Sequence, residues 1–339
     1  MKRHFTSADP HAVAESLGKE QVIEALKKML NIRNFEMRAE SAYLQAKIGG
    51  FFHSYIGQEA IQTAAVMAMG KDNWWITTYR CHALALLLGA TPNEIMSELY
   101  GRENGNAHGR GGSMHLYTDR LLGGFGIVGG QVPIATGAAF TIKYLNQNDR
   151  IAICFLGEGA MAQGAFHEAL NMASLWDLPC LYVIENNQWG MGTHVNRAIC
   201  IDALAEQTAP SYNMKGYTLD GMDFLQCYHV FLEIFEEIKR TQRPILVEAV
   251  TERFRGHSIS DPGLYRTKDE LAEKKQRDPI MLLQYFLEEK KWLDEEAFKK
   301  IDSEQRQIAI EAMKHADESP WPNPSTLEEG VFAPSKEEG

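Results

Sequence analysis

Two short runs carry the groups best suited to chemistry. Gly157-Glu158-Gly159-Ala160 follows the apolar stretch 151–156, and Asn186-Asn187 closes a second such stretch, 180–185. Both stretches have strand length and apolar character. If they form neighbouring parallel strands, Glu158 and Asn187, 29 positions apart, lie side by side at one carboxyl edge. Open α/β sheets bind their ligands at that edge. A carboxylate beside an amide oxygen is a hard, oxygen-only pair suited to Mg²⁺ or Ca²⁺. The flanking glycines let the backbone approach a phosphate, and the start of the next helix favours anionic charge. The parts describe a site for a metal-bridged diphosphate. Taken singly, each run would be only a strand-to-helix turn or a loop.

A second group of residues sits in Arg253-Phe-Arg-Gly-His257-Ser-Ile-Ser-Asp-Pro262, a polar loop after the strand expected at 245–250. Its two arginines make it positive and able to close over an anion, so His257 is read as functional. His53 follows two glycines and two phenylalanines near the start of a helix. His82 and His115 fit a structural role equally well, and His4, His11, His229 and His315 are given none. Gly124-Phe-Gly-Ile-Val-Gly129 fits the dinucleotide fingerprint G-x-G-x-x-G. That fingerprint needs a preceding strand, and Leu121-Leu122 is read as none. The glycines are read instead as a close-contact wall for a ligand's rings.

The elements that must hold these groups follow from periodicity. Residues 19–48 carry apolar positions at three- and four-residue steps, as one long helix or two abutting ones ended by Gly49-Gly50. Helices follow at 58–69 and 92–100, with a short strand at 74–78 between them. The ten glycines between Gly101 and Gly130 predict one long functional loop. Beyond it, helices at 132–145, 162–176, 202–207 and 224–240 alternate with strands at 151–156, 180–185, near Tyr217 and at 245–250. Such alternation predicts a doubly wound α/β fold, a mostly parallel sheet with helices on both faces. Four parts are expected: a helical segment over 1–48, the α/β domain over 49–265, a charged helical segment over 266–318, and a poorly ordered tail over 319–339.

The 339 residues carry a formal charge of −11, which argues against a nucleic-acid-binding surface. Five widely spaced cysteines without a CxxC pair fit reduced thiols better than a zinc site or redox dithiol. The first residues lack the apolar run of a secretory signal, and no apolar stretch has the length of a membrane span. The expected setting is cytoplasmic, of bacterial type, with an organelle matrix left open.

A Gly-acid-Gly followed about thirty residues later by Asn-Asn is where the chain resembles a known family. It is similar to the α subunits of the decarboxylating component of pyruvate dehydrogenase, a thiamine-diphosphate-dependent 2-oxoacid dehydrogenase. The matching stretches run in order through residues 50–60, 78–82, Gly111-Gly-Ser-Met-His-Leu-Tyr117, 126–129, 131–133, Glu185-Asn-Asn-Gln-Trp-Gly-Met-Gly-Thr193 and Gly256-His-Ser-Ile-Ser-Asp-Pro-Gly263. The resemblance implies the thiamine-diphosphate-binding fold. It implies Mg²⁺, with Ca²⁺ or Mn²⁺ as alternatives, held by Glu158, the side chain of Asn187 and the carbonyl of Trp189. Tyr79, Arg80, Gly159, Ala160 and His257 would meet the diphosphate, the backbone of Gly126 and Val128 the rings, and His53 and His257 the substrate.

Four departures accompany the match. Glu158 stands where most pyruvate enzymes have Asp, as in branched-chain relatives. Trp189 replaces Tyr, Arg255 replaces a common His, and the second serine of the 253–266 loop is absent where Leu264 precedes Tyr265. The resemblance also implies a β subunit in an α2β2 assembly, pyruvate as substrate, and a lipoyl-bearing acyltransferase as acceptor. Acetoin and branched-chain 2-oxoacid dehydrogenase α subunits share the architecture, and a cofactor-free scaffold is the reading that Glu158 feeds.

Overall fold

The computed structural model describes residues 8–331. The expectation about the extreme amino terminus falls partly on residues 1–7, outside the described part.

Pro10 at a first turn, with the Asp9 carboxylate accepting from the His11 N–H, starts α1 (Pro10–Leu17). After Gly18 comes α2 (Lys19–Leu44), a single helix. It ends before the expected Gly49-Gly50, because Ala46 already turns the chain in a left-handed conformation. Then come α3 (Glu59–Met69), β1 (Trp74–Thr78), α4 (His82–Leu88) and α5 (Pro92–Leu99), the last begun by a capping box of Thr91 and Glu94. The helix α4 is a correction to the expectation of no element between residues 78 and 92: its short run of Ala and Leu begins without a side-chain cap to mark it.

The long loop expected over 101–130 is corrected too. It contains a 3-10 turn at Gly112–Met114 and the strand β2 (Leu121–Phe125), which pairs in parallel with β1. Two glycines within five residues hide this strand from an apolar pattern. Gly124 is required there, since a Cβ would stand 2.6 Å from the Met114 carbonyl and 2.7 Å from the Cys81 sulfur. The strand said to be missing before the G-x-G-x-x-G run therefore exists.

The regular half follows: α6 (Gln131–Tyr144), β3 (Ala152–Gly157), α7 (Gly164–Leu175), β4 (Cys180–Asn186), a small hairpin of β5 (Trp189–Gly190) and β6 (Thr193–His194), α8 (Leu204–Thr208), β7 (Lys215–Asp220), α9 (Phe224–Thr241) and β8 (Ile245–Val250). The charged region after 266 divides into α10 (Lys268–Lys275), α11 (Pro279–Glu289) and α12 (Glu295–Glu318), the last two restarted by the caps Asp278 and Asp294. Residues 319–331 lie against the 101–110 segment: the Glu103 N–H donates to the Pro320 carbonyl, and the Arg102 guanidinium stacks on Trp321.

Six strands form one parallel sheet in the order β2-β1-β3-β4-β8-β7. Alternate residues of each strand face opposite sides. Ile153, Phe155, Leu181 and Val183 join the core packed by α2, α3, α9 and α12, whereas Ala152, Cys154, Leu156 and Tyr182 join the core under α6 and α7. The sheet is thus buried on both faces, which is why its central strands read as continuous apolar runs. Among the described residues, no helix is long and apolar enough to cross a membrane.

Candidate functional site

The chain leaves β1 for the sheet edge at β2 and returns to β3 on the other side of β1. A crevice opens at such a switch point, at the carboxyl ends of the strands. Here it is a cavity of about 610 Å³. Tyr79 and Arg80 enter it after β1, Gly126 and Val128 after β2, Glu158, Gly159 and Ala160 after β3, Asn187 and Trp189 after β4, and His257 after β8. His53 comes from the segment before α3. Every residue to which the resemblance gives a cofactor, metal or substrate role lines this one cavity.

Glu158 is buried and its Oε2 has no partner. Burial pushes its carboxyl above the ordinary range, opposed by nearby backbone N–H groups, Arg253 and Arg80. A buried, unpaired carboxylate oxygen is costly unless a cation answers it. The Asn187 Oδ1 and the Trp189 carbonyl converge on one point, since both accept from the same guanidinium nitrogen of Arg253, at 3.1 and 3.2 Å. Arg253 is itself buried, held also by the Tyr265 hydroxyl. No three His, Cys, Asp or Glu side chains among the described residues converge as metal ligands. A metal here would be held by one carboxylate, one amide oxygen and one carbonyl, a donor set for a hard ion that keeps further oxygen ligands of its own. That set fits a diphosphate-bridging metal.

The other side of the cavity holds two histidines. His53 donates from Nδ1 to the His257 carbonyl at 2.9 Å, and its ring lies 4.3 Å from that of Tyr79. Arg80 spans the same loop, donating to the carbonyls of Ser54 and His257 at 2.8 and 2.6 Å. The His257 N–H donates to Asp261, whose carboxylate also takes the Tyr265 hydroxyl. Burial, then Arg80, lower His53 to about 4 and His257 to about 3. Both imidazoles are neutral at pH 7 and carry a lone pair able to accept a proton. Burial brings Arg80 itself down to about 10.

Sequence reasoning missed two residues of the site. Arg253 was noted only as one of two loop arginines. It turns inward, whereas Arg255, two positions on, pairs outward with Glu40 at 2.8 Å. Glu185, at the end of β4, is fully buried on the cavity wall and accepts from Tyr55 and Gln62. Burial raises it to about 7. A glutamate ending an otherwise apolar strand was the available signal.

Comparison with known proteins adds to this geometry. The family model described as "Dehydrogenase E1 component" matches residues 27–325. The pyruvate dehydrogenase E1 component subunit alpha of Rickettsia conorii is 42% identical over 316 residues, covering 93% of this chain and 96% of the relative. That of Rhizobium meliloti is 40% identical over 312 residues, 91% of this chain and 89% of the relative. The chloroplastic subunit alpha-3 of Arabidopsis thaliana is 40% identical over 325 residues, 94% of this chain and 76% of the relative.

Proposed function

The chain belongs to the dehydrogenase E1 component family, and from that premise we propose that it is the α subunit of a pyruvate dehydrogenase, anchoring thiamine diphosphate through Mg²⁺ in the cavity at the carboxyl ends of β1, β3, β4 and β8. The observation that carries the reading is the convergence of Asn187 Oδ1 and the Trp189 carbonyl on one cationic nitrogen, beside the unpaired buried oxygen of Glu158. Bound thiamine diphosphate supplies the electron sink for decarboxylation, and the protein binds, orients and tunes it.

Glu158, Asn187 and the Trp189 carbonyl hold the metal in this reading. Arg253 now donates to the Asn187 Oδ1 and the Trp189 carbonyl, and with a metal held there its guanidinium would be free for a phosphate oxygen. Arg80, Tyr79 and the backbone at Gly159 and Ala160, in the 3-10 turn that follows β3, complete the diphosphate pocket. Gly126 and Val128 offer a wall for the cofactor's rings. His53 and His257, neutral and beside Arg80, accept or return a proton near the substrate.

Pyruvate as substrate, a lipoyl-bearing acyltransferase as acceptor and a β subunit completing an α2β2 assembly belong to the same proposal. The apolar lining of the cavity supports a covering partner: of its residues, Phe51 is 63% exposed, Met191 66% and Val128 46%. Large exposed apolar side chains grouped at a site edge are a mark of interaction surfaces. A cytoplasmic setting, residues 49–265 as the cofactor-binding body and residues 1–48 and 266–318 as its helical flanks are retained on these terms. Co-expression with a β subunit and assay of pyruvate decarboxylation, with thiamine diphosphate and Mg²⁺ each omitted in turn, test the reading. Activity only with all components is expected. Turnover by the chain alone, or no dependence on thiamine diphosphate, overturns it.

A further inference from the structure

Outside the cavity, one buried carboxylate has an unusual set of partners. Glu98, near the end of α5, is fully buried yet faces no Lys, Arg or His within ion-pair distance among the described residues. Its Oε2 accepts from the backbone N–H groups of Ala107 and Gly109 at 2.8 and 2.9 Å. Its Oε1 accepts from those of Gly111 and Gly112 at 2.7 and 3.1 Å. Four main-chain donors thus converge on one anion, the arrangement by which backbone nests bind phosphates, filled here by the chain's own side chain. Gly105 follows from the same contact, and Gly109 and Gly111 from the tight path of the loop around it. A Cβ at Gly105 would stand 2.2 Å from Glu98 Oε2, Gly109 has φ +75°, and a Cβ at Gly111 would stand 2.4 Å from the His115 carbonyl.

The wrapped loop runs straight into the cavity wall. Ser113 is pinned by His82, whose Nε2 lies 2.9 Å from the serine hydroxyl and whose Nδ1 lies 3.0 Å from the buried Glu36. Met114 lines the cavity, and the His115 ring donates from Nδ1 to the Gly124 carbonyl at 3.0 Å while packing against Gly126. The Gly124 N–H donates to the Leu116 carbonyl at 3.1 Å. Because β2 is the edge strand, its outer side has no other strand to fix it. The 111–116 segment takes that place.

We propose that Glu98 is a positioning residue for the cavity: its carboxylate is the fixed anion around which residues 107–112 fold, and through Ser113–Leu116 it sets where Met114 and the Gly126 wall stand. The role in cofactor binding rests on the reading of the cavity given above; the role in loop folding does not.

Glu98→Gln is the matching perturbation. It keeps shape and size but turns one acceptor oxygen into an NH₂ that faces two backbone N–H donors. Glu98→Asp keeps the charge and withdraws it by one methylene. Amide hydrogen exchange on the wild-type chain in its α/β assembly comes first, and needs no variant. The amides of Ala107, Gly109, Gly111 and Gly112 are expected to exchange slowly although they lie on a surface loop, and at least about tenfold faster in Glu98→Gln. Titration with thiamine diphosphate in the presence of Mg²⁺ is expected to show about tenfold weaker binding in Glu98→Gln, recovered in part by Glu98→Asp, with helix content unchanged by circular dichroism. Fast exchange of the four amides in the wild type overturns the proposal, as does unchanged cofactor affinity in a Glu98→Gln protein whose loop amides have been released. If the wild type binds no thiamine diphosphate, the functional reading fails, while the exchange data still decide the role of Glu98 in the loop.

Discussion

Replacing His53 by Asn should flatten the acid sensitivity of the folded protein. His53 is buried with Arg80 beside it, and these two causes hold its pKa near 4 against an ordinary 6.5. As the pH falls, the unfolded chain therefore takes up the proton first. The stability contributed by the neutral ring is present above pH 6.5 and is lost as the pH falls toward 4. At about 1.4 kcal/mol per unit, the whole span is worth about 3 kcal/mol, and the part lost between pH 7 and pH 5 about 2 kcal/mol. Asparagine can keep the bond to the His257 carbonyl through its side-chain N–H while removing the titration. Urea unfolding of wild type and His53→Asn at pH 7 and pH 5 isolates the effect, because the carboxylates titrate alike in both. The wild type should lose about 2 kcal/mol more than the variant. Equal losses, or a His53 ring resonance that titrates near pH 6.5, would refute the claim that this imidazole is held neutral.

Three other outcomes are expected. Glu158→Ala should abolish Mg²⁺-dependent binding of thiamine diphosphate while Glu158→Asp retains it, by calorimetric titration of the α/β assembly; equal affinity in the alanine variant would remove Glu158 from the metal site. Amides of residues 253–266 should gain protection when thiamine diphosphate and Mg²⁺ are added, since Arg253 and His257 bring that loop to the cavity wall; unchanged exchange would count against their contact with the diphosphate. Gly57→Ala should destabilise the fold by about 3 kcal/mol or more in denaturant titration, because φ is +105° and the new Cβ would stand 2.3 Å from the Glu252 carbonyl.

The parts of the site legible in sequence are those encoded locally. Glu158 and Asn187 each follow an apolar strand, and β3 and β4 are parallel neighbours as expected, with Gly157 opposite Glu185. Wherever a residue's role depends on a distant partner, sequence is silent. Nothing near Glu98 announces four amides nine to fourteen positions away, and nothing in the loop separates Arg253 from Arg255 except the direction each side chain takes. The strand β2 escaped because pairing and close packing, not apolar content, define it. The glycines of 101–112 stand out as a group in the sequence, but what requires them, the Glu98 carboxylate at Gly105 and the His115 carbonyl at Gly111, is visible only in three dimensions.

The strand order has a consequence for how the chain must assemble. β8 is the last strand to be synthesised, yet it lies between β4 and β7. Until residues 245–250 emerge, β7 has no neighbour to pair with, and β4 presents an open, apolar edge. Arg253 and His257 arrive only after that insertion, so the cavity closes at the end of folding rather than with its first half. A nascent chain stalled before β8 would hold Glu158 and Asn187 but not Arg253, and would expose the edge most prone to pairing with another copy.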